Sequence, residues 1–209
     1  MRTSSRTVSD LMTHTAIAVG SSASYKEIVQ LLDQWKVSAL PVLAGEGRVI
    51  GVVSEADLLL KEESRPGGEP EPGSRPVGAA KADAVSAEDL MSSPAITVHA
   101  DASLGEAARI MARRQVKRLP VVDSGGLLEG IISRGDLLKV FLRSDEDIAA
   151  EATEVLSGLS DTAGLEARVA DGVVTLRGVL PDRAMVPLVA RAVRAIEGVV
   201  DIRLGLRQP

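Results

Sequence analysis

Four residues in two near-identical phrases carry the chemistry most open to this chain. GVVSEADLL runs from Gly51 to Leu59 and GIISRGDLL from Gly130 to Leu138, so Ser54 and Asp57 recur as Ser133 and Asp136. A Ser at the turn from a β-rich run into a helix sets a hydroxyl beside free backbone amides, an arrangement that suits a phosphate. An Asp one turn further on accepts both hydrogens of a ribose diol. The same spacing also reads as a capping box with Asp in place of Glu, in which each Ser is worth about 1 kcal/mol. On these residues alone, capping and ligand binding both stay open.

The elements that position the phrases are themselves duplicated. Residues 10–61 align with 89–140 at a constant offset of 79 without a gap, and 19 of the 52 positions are identical. DLM at Asp10 meets DLM at Asp89, and LPV at Leu40 meets LPV at Leu119. A repeat of this length is one supersecondary unit that cannot bury its apolar face alone, so the two copies are expected to pack on each other. SYKE (Ser24 to Glu27) and SLGE (Ser103 to Glu106) are capping boxes that open a helix in each copy. Helical spacing predicts one buried stripe of Tyr25, Ile28, Val29, Leu32 and Trp35, and another of Leu104, Ala107, Ala108 and Met111. SALPVLAGEGRVIGVVS and KRLPVVDSGGLLEGIIS each read as a hairpin of two β-rich runs about a glycine-bearing turn. Gly45, Gly47 and Gly51 do not fit a GxGxxG dinucleotide loop, and no helix follows them directly.

Each copy therefore reads strand, helix, strand, strand, helix. Residues 62–86, rich in Pro, Gly and Glu without apolar periodicity, read as a flexible linker between a first unit at 1–61 and a second at 87–143. From Ser144 the pattern changes to a third unit, 144–209. Ser144 and three acids open a helix with Ile148, Ala152, Val155, Leu156 and Leu159 on one face. Asp171-Gly172 is a hairpin signal between two strands. AMVPLVARAVRAIEG reads as a helix with Pro187 near its first turn and a stop at Gly198. Val200, Ile202, Leu204 and Leu206 then alternate with polar residues or Gly as a half-buried strand.

Composition narrows the function classes. Without cysteine there are no disulfides, thiolate metal sites or cysteine nucleophiles. His14 and His99 are the only imidazoles and stand in no metal-ligand spacing, so no metal site is expected. Tyr25, Trp35 and Phe141 are too few and scattered to stack bases, and a net charge of -5 gives no broad footprint for a phosphate backbone. Nucleic acid is therefore not an expected partner. No P-loop, triad or metal cluster supports catalysis, and no catalytic residue is assigned. With no apolar run of about 18 residues and no signal-peptide core, the chain reads as cytoplasmic.

DLM, LPV, Gly-apolar-apolar-Ser-x-x-Asp and DLL occur in that order in both copies. This pattern resembles the tandem cystathionine β-synthase, or CBS, domain pair, over residues 8 to 143 apart from the linker. The resemblance implies an α+β fold in which two βαββα units pack as a pseudo-twofold pair, with two clefts that often hold an adenine nucleotide. By position it implies Ser54 and Asp57 in one cleft and Ser133 and Asp136 in the other. Val37, Ser38 and Ala39, with Val116, Lys117 and Arg118, become lining candidates. It also implies a homodimer formed through the helices. The ligand stays open among AMP, ADP, ATP, S-adenosylmethionine and dinucleotides, with the three adenine nucleotides foremost, as an effector rather than a required cofactor.

Arg113, Arg114, Lys117 and Arg118 cluster before the second LPV, where the first copy has Gln34, Trp35, Ser38 and Ala39. That asymmetry leads to the expectation that the Asp136 cleft is the tighter phosphate site. DGVVTLRG and EGVVDIRL give residues 145 to 207 a resemblance to a BON domain, read as αββαβ. It implies contact with a protein partner or a phospholipid surface, for which Arg183, Arg191 and Arg194 are the candidates. The chain thus reads as a non-catalytic sensor, with a ligand-independent scaffold for self-association or tethering as the alternative.

Overall fold

The computed structural model describes residues 6–63, 85–160, 162 and 164–207. The chain divides into two compact units, Met1–Arg134 and Gly135–Pro209. The predicted linker lies outside the described residues over 64–84. Its first residues extend a helix to Glu63, and its last two are paired: Val85 accepts from the Tyr25 amide at 3.0 Å, and Ser86 bridges Ser24.

In the first unit both copies fold alike. The first contributes β1 (Val19–Gly20), α1 (Tyr25–Trp35), β2 (Ala39–Leu43), β3 (Val49–Ser54) and α2 (Glu55–Glu63). A short helix α3 (Ala87–Leu90) precedes the second copy's β4 (Val98–His99), α4 (Leu104–Arg114), β5 (Arg118–Val122) and β6 (Leu128–Ser133). In each three-stranded sheet the middle strand runs parallel to the first and antiparallel to the third, with Val19 beside Val42 and Leu40 beside Val53. Their counterparts Val98 and Val121, and Leu119 and Ile132, repeat this register.

The helices start where the capping residues predict. Ser24 Oγ accepts from the Glu27 amide at 3.3 Å, and Ser103 Oγ from the Glu106 amide at 3.2 Å. Each helix ends on a left-handed residue, Lys36 (φ 51°) or Gln115 (φ 56°), whose amide returns to the last turn and redirects the chain into the central strand. The buried stripes are narrower than their periodicity suggests. Ile28 and Leu32 are buried in α1 and Ala107 and Met111 in α4, but Val29 is 40% exposed, Trp35 52%, and Ala108 is also exposed. Val29 lies about 100° around the helix from Ile28, off the sheet-facing side. Trp35 stands in the last turn, where the chain leaves the helix.

The two DLM segments change places between the copies. Val8 and Ser9 donate their amides to Ala102 and Ala100, and Thr13 exchanges both backbone hydrogen bonds with Ile131, so the chain's start closes the second copy. Reciprocally, Ala87 and Glu88 donate to Ala23 and Ser21, and Ser92 exchanges both bonds with Val52. Ala87 and Leu90 are fully buried in the first copy's core with Ile28, Leu40, Val42 and Val53. The first copy's core is completed by a segment from the second copy's stretch of sequence, and the chain's start with its buried Val8 is hydrogen-bonded to the second copy, which physically ties the repeat into a pair.

The second unit takes in the end of α5 (Arg134–Leu138), followed by a 3-10 turn at Lys139–Leu142. The division thus falls nine residues before the expected boundary at 143/144. The reason lies in what residues 140–143 touch: Arg143 Nη1 donates to Glu151 at 2.7 Å and to the Glu197 carbonyl at 2.9 Å, and Val140 O crowds Gly198. Helix α6 (Asp145–Ser157) is capped by Ser144 and buries Ile148, Ala152 and Leu156. Strands β7 (Leu165–Ala170) and β8 (Val173–Val179) form the predicted hairpin, with Asp171 and Gly172 both at positive φ as a type I′ turn requires. Helix α7 (Val186–Arg194) follows, with Pro187 in its first turn, and ends before the predicted stop at Gly198. Strand β9 (Asp201–Arg207) pairs parallel to β8 at the sheet edge, where Leu204 remains 45% exposed. The core joins Ile148, Leu156, Val174, Leu176, Val189 and Val193. Among the described residues no helix is long and apolar enough to cross a membrane.

Candidate functional site

Ser54 closes β3 and Asp57 lies one turn into α2. The carboxylate arm of the box is made: the Ser54 amide donates to Asp57 Oδ2 at 2.9 Å, and the Ser54 hydroxyl donates to the same oxygen at 2.7 Å. Capping is therefore real. It is not special, because Thr7 and Asp10 make the same pair (amide at 2.6 Å, hydroxyl at 3.1 Å), as do Ser86 and Asp89 (3.4 and 2.6 Å).

What separates Ser54 and Asp57 from those two boxes is a cavity of about 300 Å³. Its polar side includes Ser38, Ser54, Asp57 and Ser92, and the Ser92 hydroxyl donates to Asp57 Oδ1 at 3.4 Å. Its apolar wall is built by Val52, Pro94, Ala95, Ile96 and Val116. A carboxylate has about four lone-pair sites, so an Asp57 that caps α2 through one oxygen can still accept from a ligand through the other. Capping and binding are compatible here.

The cations of this cavity come from the other copy. Lys117 and Arg118 line it, delivered by the turn at Gln115, which also lines it. Arg118 Nη2 donates to Ser38 Oγ at 2.7 Å, and Nη1 approaches the Ala39 carbonyl at 3.5 Å. The Glu55 amide donates to the Ser38 carbonyl at 3.1 Å, which ties the start of α2 to the same strand.

The lining candidates thus divide. Ser38, Ala39, Val116, Lys117 and Arg118 come together around Ser54 and Asp57. Val37 instead packs against the first copy's core and faces a shallow groove with Tyr25 and Leu58. Ser133 ends β6 at its counterpart position, while Asp136 lies in the second unit, 2.7 Å from Lys139 Nζ. Lys117 and Arg118 stand with Asp57, whereas the charge count had associated them with the Asp136 cleft. Residues 115–118, which lead into the second copy's central strand, line the cavity of the first copy's phrase alongside that copy's own Ser38 and Ala39.

Sequence reasoning did not find Ser92, Pro94, Ala95 and Ile96. They follow the DLM segment, whose docking on the opposite copy was not visible before the fold. A signal existed in the DLM repeat itself, which had to pack somewhere in both copies.

In the second unit Arg183, Arg191 and Arg194 are exposed. Arg191 and Arg194 stand in the last turn of α7, where cations complement the open carbonyls. Alternation along the strands places Arg168, Arg177, Arg203 and Arg207 together on the opposite sheet face from the core residues Val174 and Leu176.

Comparison with known proteins agrees with this architecture. A CBS domain matches residues 8–63 and again 87–143, and a BON domain matches 144–207. The Methanopyrus kandleri protein MK0525 is 32% identical over 114 residues, which make up 54% of this chain and 52% of that protein, so the chain spans about half of its relative's length. The chloroplastic protein CBSX2 of Arabidopsis thaliana is 30% identical over 152 residues, covering 66% of this chain and 64% of the relative. The crystal structure of CBSX2 in complex with AMP superposes with a TM-score of 0.57 at 32% identity, covering 66% of this chain and 97% of that one. The chain therefore belongs to the CBS domain family, as a tandem pair with a BON domain at its C-terminal end.

Proposed function

We propose that this chain is a non-catalytic regulatory protein that binds an adenine nucleotide or related adenosyl ligand in the cavity beside Ser54 and Asp57. The observation that carries the reading is that cavity itself. The Ser54–Asp57 box opens onto a space with an apolar wall and convergent polar groups. Aliphatic side chains on the wall receive an adenine ring, Asp57 Oδ1 accepts from ribose hydroxyls, and Lys117 and Arg118 face a phosphate. The complex of CBSX2 with AMP supports the ligand class. Ser133 and Asp136 are retained as candidates for a second cleft.

Ligand state passes to the BON domain, which engages a protein partner or an anionic lipid surface. Self-association as a homodimer uses the exposed apolar residues Val29, Trp35 and Leu59 of the helices.

The test is thermal unfolding of the full chain with AMP, ADP, ATP and S-adenosylmethionine, for wild type and Asp57→Ala. At 100 times the dissociation constant one site adds about 2.7 kcal/mol, which raises Tm by several degrees for a chain of this size. A rise that Asp57→Ala abolishes supports the reading. No rise with any of the four, together with no binding by calorimetry, leaves a ligand-independent scaffold.

A further inference from the structure

We infer that the C-terminal unit associates head to tail with a second copy of this chain, the arginine-bearing face of its sheet seating on the acidic outer stripe of the second copy's α6. The contact is independent of the nucleotide reading and of the apolar helix residues assigned to the homodimer.

The register of the sheet sets out its outward face. Arg168 and Arg203 flank Thr175 across the three strands, Arg177 stands between Glu166 and Gly205, and Arg207 lies beside Val179 at one end. All four arginines are exposed, on the side away from the core residues Val174 and Leu176. Two acids share this face. Glu166 is taken by Arg168 at 3.0 Å, and Asp201, at the other end, accepts from the Ile202 amide at 2.8 Å. Among the described residues Arg177, Arg203 and Arg207 have no ion pair, so the face stays positive and calls for an anion from outside.

Helix α6 carries anions in a matching form, because its sequence holds Asp145, Glu146, Asp147, Glu151 and Glu154 and no base. Two are already engaged: Asp145 by the Asp171 and Gly172 amides, and Glu151 by Arg143. Glu146, Asp147 and Glu154 are exposed and have no ion pair among the described residues. Helical spacing places them within an arc of about 120° with the small residues Ala150, Thr153 and Ser157. That arc lies opposite Ile148, Ala152 and Leu156, which are buried in the core, so the stripe points away from the sheet. Small side chains between the acids leave room for a flat surface to approach.

Spacing agrees as well as sign. Glu146 and Glu154 stand about 12 Å apart along the helix, while Arg203 and Arg207 stand about 13 Å apart along β9 and Arg168 and Arg203 about 10 Å apart across the sheet. A bilayer would supply anions without that spacing. The two surfaces lie on opposite sides of one unit, so neither can satisfy the other within a chain. A patch that fits a different patch makes a heterologous contact, which propagates unless its rotation closes. Arg191 and Arg194 are exposed on α7, which shares the core with α6, and they repel the arginine face and so hold it over α6. A sheet three strands wide, about 14 Å, makes a small contact of the weak, salt-dependent class.

Sedimentation velocity of the full chain over a concentration series reads the contact in about 0.1 M and about 1 M NaCl, between which the screening length falls from about 10 Å to about 3 Å. Wild type is expected to form larger species at low salt than at high salt, with association at least tenfold weaker at high salt; an apolar homodimer persists in both and is not counted. Arg203→Glu with Arg207→Glu, and separately Glu146→Gln with Glu154→Lys, should each weaken the salt-sensitive step at least tenfold. Mixing the two variants should restore one contact, since each keeps the face that the other has lost, and yield a capped pair that neither forms alone. Where either double variant does not fold, Arg177→Glu or Asp147→Asn takes its place. Wild type without salt-sensitive association overturns the inference, and so does a mixture that stays apart. Loss of association in Arg191→Glu with Arg194→Glu but not in the sheet variant moves the contact to α7 and overturns it as well. Phosphatidylglycerol vesicles that bind wild type but not the sheet variant, with no self-association, give the face to a membrane and also overturn it. None of these outcomes bears on the Ser54–Asp57 cavity.

Discussion

Arg118 reaches its own counterpart in the repeat: its Nη1 lies 3.5 Å from the carbonyl of Ala39, the residue 79 positions earlier at the matching place in the first copy. Equivalent residues meet where two pseudo-symmetric units face each other. Two arginines there would repel, whereas an alanine leaves room for one guanidinium to lie across to Ser38. The duplication has therefore diverged at the point where divergence changes both the joint and the cavity.

The Arg118–Ser38 bond should hold the copies together. A hydrogen bond with a charged partner contributes about 1.5–3 kcal/mol. Ser38→Ala is expected to destabilise the first unit within that range, and Arg118→Ala by a similar amount. Urea unfolding of the two single variants and the double variant tests this, because residues in direct contact give a coupling of about 0.5–3 kcal/mol. Strictly additive losses would show that the bond carries no stability.

The glycines of the repeated phrase have a packing cause. A Cβ on Gly130 would stand 2.7 Å from the Thr13 carbonyl and 3.0 Å from Met12 Sδ, while one on Gly51 would collide with the side chain of Met91. Each glycine thus admits the DLM methionine of the opposite copy. Methionine is adaptable, but backbone is not. Gly130→Ala should therefore cost more than Gly51→Ala, with overpacking of this kind typically at about 1–3 kcal/mol. Equal melting points for the two variants would contradict the assignment.

This exchange also explains what could be read from the sequence and what could not. Period and capping residues gave α1, α4 and α6, and Asp171-Gly172 gave the hairpin, because these are local matters of spacing and turn chemistry. The first Gly-x-x-Ser-x-x-Asp phrase marked the cavity's polar side. Which cations face Asp57 was not legible, since it depends on a docking between the two copies that brings Lys117 and Arg118 to a residue about 60 positions earlier. Trp35 was misplaced for a related reason: helical spacing assigns a face but does not show where the covering sheet ends.

Asp89 offers a pH test of the caps. The Ser86 hydroxyl, 2.6 Å from its carboxylate, is the main cause holding Asp89 below the usual carboxylate range. A depressed folded-state value contributes stability that is present above the unfolded pKa of about 4 and is lost as pH falls through the folded value. Asp89 should accordingly titrate below an ordinary aspartate by NMR and move up in Ser86→Ala. The stability gap between wild type and that variant should narrow from pH 7 to pH 3. A gap independent of pH would remove the carboxylate from the cap.

In the C-terminal unit a single carboxylate closes the fold's only Asp-Gly turn among the described residues. Asp145 Oδ2 and Oδ1 accept from the Asp171 and Gly172 amides, each at 2.8 Å, joining the first turn of α6 to the β7–β8 hairpin. Both turn residues have positive φ, so their amides point away from the strand ladder and need an acceptor. Asp145→Asn retains one acceptor oxygen, and Asp145→Ala retains none. The expected order of stability is wild type, then Asn, then Ala, with the alanine loss at about 2–4 kcal/mol for two hydrogen bonds to a charged group that is partly exposed. Hydrogen exchange at the Gly172 amide reads the same contact locally and should accelerate in Asp145→Ala. If it does not, water satisfies the turn as well as the carboxylate, and the clamp contributes nothing to holding helix and hairpin together.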